Sequence, residues 1–175
     1  MKKLLPLCWL CLLASGPLWA QTLLPSSFET NGTVNTIQRA GDTVYVGGSF
    51  STIGYNTSSV ARLPGGGSLP DQNFPRSNGA INAWAADGAG GYYVGGGFTQ
   101  IGGQNRLYVA HILADKTVDA AFNPGTNSLV NALALSGNLL YVGGYFTQIG
   151  DQPRTFLAAL NATTGTPTAW NPSPD

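Results

Sequence analysis

The side chains of this 175-residue chain that could do chemistry are few: one histidine, His111, two cysteines, Cys8 and Cys11, and eight acids. A zinc site needs several nitrogen, sulfur or carboxylate ligands converging on one point, and no carboxylates cluster around His111 in the sequence. Arg62 and Ala159 occupy the places of His111 in two related stretches, so His111 reads as a satisfied or exposed strand residue. Glycoside hydrolysis needs two carboxyl groups flanking one bond. Glu29, Asp42, Asp71, Asp87, Asp115, Asp119 and Asp151 fall mainly in predicted turns, and no pair stands out. Asp71 and Asp119 each stand three residues before an aromatic, Phe74 or Phe122, a recurring place that predicts turn stabilisation rather than acid catalysis. The serines have no second base of the histidine kind to form a nucleophilic triad. Asp87-Gly88-Ala89-Gly90-Gly91 offers one carboxylate where calcium takes about six to eight oxygens. The glycine-rich stretches 64–68 and 88–91 precede no predicted helix, so neither is a phosphate loop. The expectation is a chain without catalytic residues, metal or cofactor.

What remains is recognition by polar loop residues. Tyr55, Arg76, Gln104, Arg106, Gln152 and Arg154 are the candidate ligand-binding residues, on a rim shared with Asn56, Asn78, Asn105 and Asn127. Gln-x-Arg recurs at Gln104 to Arg106 and at Gln152 to Arg154, and a feature repeated in successive units favours loop maintenance over ligand binding. The expected partner is a glycan or a protein. Nucleic acid is excluded, because eight Lys and Arg are scattered and balanced by eight acids, for a formal net charge of zero.

The elements that must carry this rim come from an internal repeat. Tyr-Val-Gly-Gly begins at Tyr45, Tyr93 and Tyr141, 48 residues apart each time. Val34-Asn35, Ile81-Asn82 and Val130-Asn131 precede the glycines, and Val60-Ala61, Val109-Ala110 and Leu157-Ala158 follow them. Each unit closes on an aromatic: Phe74, Phe122 or Trp170. A period of this length belongs to a propeller blade or a related array. Only 9% of residues are charged while 43% are hydrophobic and 24 are glycine, and the apolar runs are continuous rather than alternating, as in strands buried on both faces.

The fold class is therefore all-β, a β-propeller segment of three four-stranded blades, at 34–80, 81–129 and 130–175. In the third, strands are predicted at Val130 to Leu135, Leu139 to Gln148, Phe156 to Leu160 and Thr168 to Trp170, with a turn at Ser136 to Asn138. The diglycines predict close approach of a neighbouring backbone or ring. Phe50, Phe98 and Phe146 are expected to fill the space between blades.

Lys2 and Lys3 precede an apolar run from Leu4 to Leu13 and small residues through Ala20, the pattern of a signal peptide over 1–20. That run is too short to span a bilayer, and both cysteines lie within it. The mature chain is expected to be secreted, periplasmic or at the cell surface, with no membrane span, thiol or disulfide. The segment 21–33 contains Phe28, which matches the closing aromatic of a unit, so a ring-closing strand is expected there.

These residues carry a family resemblance. Tyr141 to Gly150, Phe156 to Ala162 and Ala169 to Pro172 resemble the bacterial delta-sixty repeat, a β-propeller domain of unknown function. More distantly they are similar to kelch repeats and to the central propeller of galactose oxidase. The resemblance covers about residues 28–175 and implies a fold and an extracellular setting, but no activity. A copper-radical oxidase of the galactose oxidase kind needs a cysteine-modified tyrosine and two histidines, which the mature chain lacks. The stretch from Ala159 to Gly165 followed by Trp170 is similar in shape to the tryptophan-docking repeat of quinone-dependent dehydrogenases. Propellers use about four to eight blades, so three imply missing blades of a longer chain, a homodimer that closes six blades, or an open array capped by the segment from Gln21 to Gly32. The alternative function is a fragment of a carbohydrate-active or quinone-linked propeller enzyme whose catalytic residues lie outside this chain.

Overall fold

β-branched, leucine and tyrosine side chains flank each diglycine, and these stretches become the strands. The computed structural model describes residues 30–53, 55–56, 60–63 and 73–172. The expectations placed on 1–20 with its two cysteines, on Phe28, on Asp71 and on the glycine-rich stretch 64–68 lie outside the described residues.

Among the described residues the chain is all-β, without helices, built of small antiparallel sheets as in part of a β-propeller. The first sheet joins β1 (Thr33–Ala40), β2 (Thr43–Ser49) and β5 (Val60–Leu63), with a two-stranded ribbon of β3 (Thr52–Ile53) and β4 (Tyr55–Asn56) between β2 and β5 in sequence. The second repeats this with β6 (Ile81–Ala86), β7 (Tyr92–Gly96) and β10 (Val109–Ile112), and the ribbon β8 (Gln100–Ile101) with β9 (Gln104–Asn105). The third has β11 (Val130–Ser136), β12 (Leu139–Gly144) and β15 (Leu157–Asn161), and the ribbon β13 (Gln148–Ile149) with β14 (Gln152–Pro153). In each sheet the diglycine strand lies in the middle.

Two expectations about strands are corrected. The long second strand, drawn from Leu139 to Gln148, ends at Gly144, and the chain restarts as a ribbon at Gln148. An asparagine clamp turns it away: Asn127 Oδ1 accepts from the backbone N–H of Thr147 (2.9 Å) and Gln148 (3.2 Å), while its Nδ2 donates to Thr147 Oγ1 (2.8 Å). Asn78 grips Thr99 and Gln100 in the same way, and Asn31 grips Ser51 and Thr52. The fourth strand at Thr168 to Trp170 is reduced to an isolated bridge, Leu160↔Pro167, followed by one bond from Thr168 N–H to Ala159 O (2.8 Å). The second unit likewise keeps only the bridge Ile112↔Val118, with Asp119 N–H bonded to His111 O (2.8 Å).

The two glycines of each pair have separate reasons. A Cβ on Gly48, Gly96 or Gly144 would run into the carbonyl oxygen of Thr33, Ala80 or Leu129 in its own sheet, beside the bulges at Val34/Thr36, Ile81/Ala83 and Val130/Ala132. A Cβ on Gly47 or Gly95 would strike the next sheet, at Ile81 and Trp84 or at Val130. The second sheet is thus covered on both faces. Tyr45, Phe74, Trp84, Tyr92 and Val94 pack on one side of it, and Tyr93, Val109, Phe122, Val130 and Val142 on the other. Tyr92 Oη donates to Tyr45 Oη (2.6 Å) across the first contact, and Tyr93 Oη to Ala162 O (2.7 Å) across the second. Phe50, Phe98 and Phe146 are all buried, as expected of space-fillers. Trp84, a non-recurring residue, is a core residue here.

Candidate functional site

The second sheet carries a cluster of ionisable groups. β7 and β10 pair with Tyr93 opposite His111, so both side chains leave the same face, and the rings stack at 4.3 Å between centroids and 13° between planes. Phe122 closes the edge of the imidazole at 5.9 Å. His111 Nδ1 lies 2.9 Å from Asp119 Oδ2 and Nε2 lies 3.1 Å from Asp87 Oδ2. The histidine side chain is 9% exposed.

Local sequence explains how each acid reaches the ring. β6 and β7 are joined by the five residues 87–91, where the other two units use only 41–42 and 137–138. Gly88 (φ 80°) and Gly90 (φ 97°) take left-handed conformations, which curl the turn so that Asp87 Oδ1 accepts from Ala89 N–H (2.7 Å) and Gly91 N–H (2.8 Å). That leaves Oδ2 for the histidine. Asp119 Oδ1 accepts from Ala121 N–H (2.9 Å), the turn-stabilising bond expected of it, and its other oxygen takes the ring.

Burial alone would raise the pKa of both acids. Hydrogen bonds from the turn N–H groups and from His111, with the attraction of the ring, outweigh it and hold Asp87 and Asp119 below the ordinary carboxylate value. Tyr93 is pushed up by its burial and by the two carboxylates. Each ring nitrogen of His111 thus faces one carboxylate oxygen. Each ring nitrogen is engaged, so the ring offers neither to a ligand. The expectation that the acids form no pair and do not gather on His111 is therefore corrected. Asp87 and Asp119 lie 24 and 8 residues from it, and only the lengthened turn of the second unit signalled the meeting. The described residues contain no group of three His, Cys, Asp or Glu arranged to hold a metal ion.

The rim lies where the ribbons meet the connections between units. An open groove of about 640 Å³ is lined by Asn78, Thr99, Gln100, Asn105, Leu107 and the segment Asn123, Pro124, Gly125. A second, of about 350 Å³, continues past Pro124 to Asn127, Gln148 and Asp151. A third, also about 350 Å³, is lined by Asp151, Gln152, Arg154 and residues 166–169. Gln152 and Arg154 are thus brought together. Gln104 and Arg76 are exposed, and the Arg76 carbonyl accepts from Gly102 N–H (2.8 Å). Tyr55 lies on β4 opposite Ile53.

Arg106 is buried, its Nη1 donating to Asn105 O (2.7 Å) and Nη2 to Asp119 O (2.9 Å). Arg154 repeats this with Pro153 O and Thr168 O, both at 2.7 Å. The two arginines tie each ribbon to the segment that closes its unit. Sequence reasoning did not single out Asn123, Gln100 or Leu107, which line the 640 Å³ groove, although Gln100 and Asn123 recur as Gln148 and Asn171 one period later.

A β-propeller domain of unknown function (DUF5122) matches residues 90–122. That stretch runs from the turn before β7, through the ribbon and His111, to the closing Phe122, and it supports a β-propeller repeat in this chain. No curated protein matches the chain.

Proposed function

We propose that this chain is a secreted, non-catalytic module of three kelch-like propeller blades, at 34–80, 81–129 and 130–175, that binds a glycan or protein ligand or serves as a scaffold outside the cell. The observation that carries this reading is the rim groove. Its polar lining between Asn78 and Gly125 is made of amides and one hydroxyl, with no charged side chain, beside the apolar Leu107 and Pro124. Neutral amides that donate and accept suit hydroxyl-rich or backbone-like ligands. The ionisable groups Asp87, His111 and Asp119, by contrast, are bonded to one another. The bacterial delta-sixty resemblance and the leader-like first twenty residues support an extracellular place.

The test is thermal unfolding of the purified chain against panels of neutral glycans and extended peptides. A ligand at about one hundred times its dissociation constant adds about 2.7 kcal/mol of stability, read as a rise in Tm, and Asn123→Ala with Gln100→Ala should remove it. Chemical turnover of a stabilising ligand would instead favour the carbohydrate-active or quinone-linked reading. No stabilisation by any member would leave the rim without its role.

A further inference from the structure

The far face of the β11–β12–β15 sheet repeats, position for position, the face by which the β6–β7–β10 sheet holds its neighbour. Gly95 leaves a hollow into which Val130 reaches, as Gly47 does for Ile81. At Gly143 an added Cβ would meet only its own sheet: Leu157 at 3.4 Å, Ala132 at 3.5 Å and the Phe156 carbonyl at 3.9 Å. The hollow is formed, and no described residue fills it.

The matching knob is on the first sheet. Val34 opens its bulge as Ile81 and Val130 open theirs, yet those two are fully buried while Val34 is 38% exposed and Ile37, at the place of Leu133, is 64% exposed. The edge beside the hollow fits the same strand. Leu129 packs at 3.1 Å over the position where Gly97 would carry a side chain. At the corresponding places the third sheet carries Tyr145 and the first carries Thr33, so the large residue has changed sides.

A ladder of amides supplies a third, polar argument. Asn35 Nδ2 donates to Asn82 Oδ1 (3.0 Å), and Asn82 Nδ2 to Asn131 Oδ1 (3.0 Å). Among the described residues Asn131 Nδ2 finds no acceptor and Asn35 Oδ1 no donor, so the ladder ends in complementary groups.

We propose that the Gly143 face seats the Val34 face of a second copy of this chain, repeating the interface that joins the sheets within it. Val34 enters the hollow at Gly143, Thr33 lies against Tyr145, and Asn131 donates to Asn35 of the second copy. Each copy offers one face of each kind, so the contact is heterologous and two copies present two such interfaces. The proposal rests on reading the sheets as successive blades.

The test is the mass of the full chain by sedimentation and light scattering across a wide range of concentration. A defined multiple of the chain mass is expected. Gly143→Val, which fills the hollow, and Val34→Lys, which charges an already exposed position, should each weaken association at least about tenfold while circular dichroism stays unchanged. Mixing the two variants restores one intact interface, and association with it. A single-chain mass at every concentration, association indifferent to Val34→Lys, or variants that fail to complement each other would overturn the proposal. Mass is read without ligand, so its failure is distinct from failure of the rim to bind.

Discussion

The same residues at the same register meet two fates in the second and third sheets. On the face that receives a neighbour, Val109 and Phe122 are 0% exposed; their counterparts Leu157 and Trp170 are 37% and 44% exposed. Tyr108 and Phe156 both take left-handed backbone (φ 67° and 64°) just before the outer strand, a conformation that bulky residues hold only where surrounding structure over-determines it. Tyr108 then packs into the core between sheets, whereas Phe156 stands exposed. The repeat therefore encodes a face, and burial of that face depends on whether another sheet is laid on it.

The strongest way to break this contrast is to truncate the closing aromatics. Phe122→Ala should cost about 3–5 kcal/mol in a urea titration, because it empties a packed interface. Trp170→Ala, measured at low chain concentration, should cost about 1 kcal/mol, the worth of its edge contact with Tyr141 at 5.5 Å. Equal losses would mean that the third sheet is covered as fully as the second.

Acid titration sharpens the comparison next, since Ala159 takes the place of His111 opposite Tyr141 and the third sheet has no such cluster among the described residues. The folded-state pKa values of Asp87 and Asp119 are depressed. Their contribution is therefore fully present above the unfolded carboxylate value of about 3.9 and is lost as pH falls through the lower folded values. His111→Ala should destabilise the chain by about 2 kcal/mol at neutral pH and shrink that acid-dependent loss. An unchanged pH profile in the variant would show that the imidazole is not what holds the two carboxylates ionised.

The smallest contrast lies in one hydroxyl. Tyr93→Phe removes the bond to Ala162 O that crosses between sheets and should cost about 1 kcal/mol. Tyr141→Phe should change stability by only a few tenths in a dilute chain. The same denaturation curves, read side by side, check both.

Much of this architecture was legible from side-chain type alone. The Ser136 to Asn138 turn, the strands beginning at Val130 and Leu139, and the burial of Phe50, Phe98 and Phe146 follow from apolar runs, turn residues and a strict 48-residue period. The break after Gly144 was not legible. It depends on Asn127, twenty residues earlier in the chain, reaching the backbone of Thr147. The reduction of the fourth strand to one bridge, at Val118 and at Pro167 alike, was not legible either. Of the residues placed on the rim from sequence, Asn78, Asn105, Asn127, Gln152 and Arg154 line grooves, while the exposed Leu107 has no counterpart one period later, where Thr155 stands.

The sequence by itself determined the repeat, the strand order within a unit and the need for a glycine pair in each middle strand, because these are set by residue type over short spans. It could not show that the two glycines answer to different neighbours, one to the bulge in its own sheet and one to the sheet beyond. Nor could it bring Asp87 and Asp119 to opposite sides of His111. Those relations depend on strand register and on the stacking of one sheet against the next, which join residues distant in the chain and are decided only when the backbone closes in three dimensions.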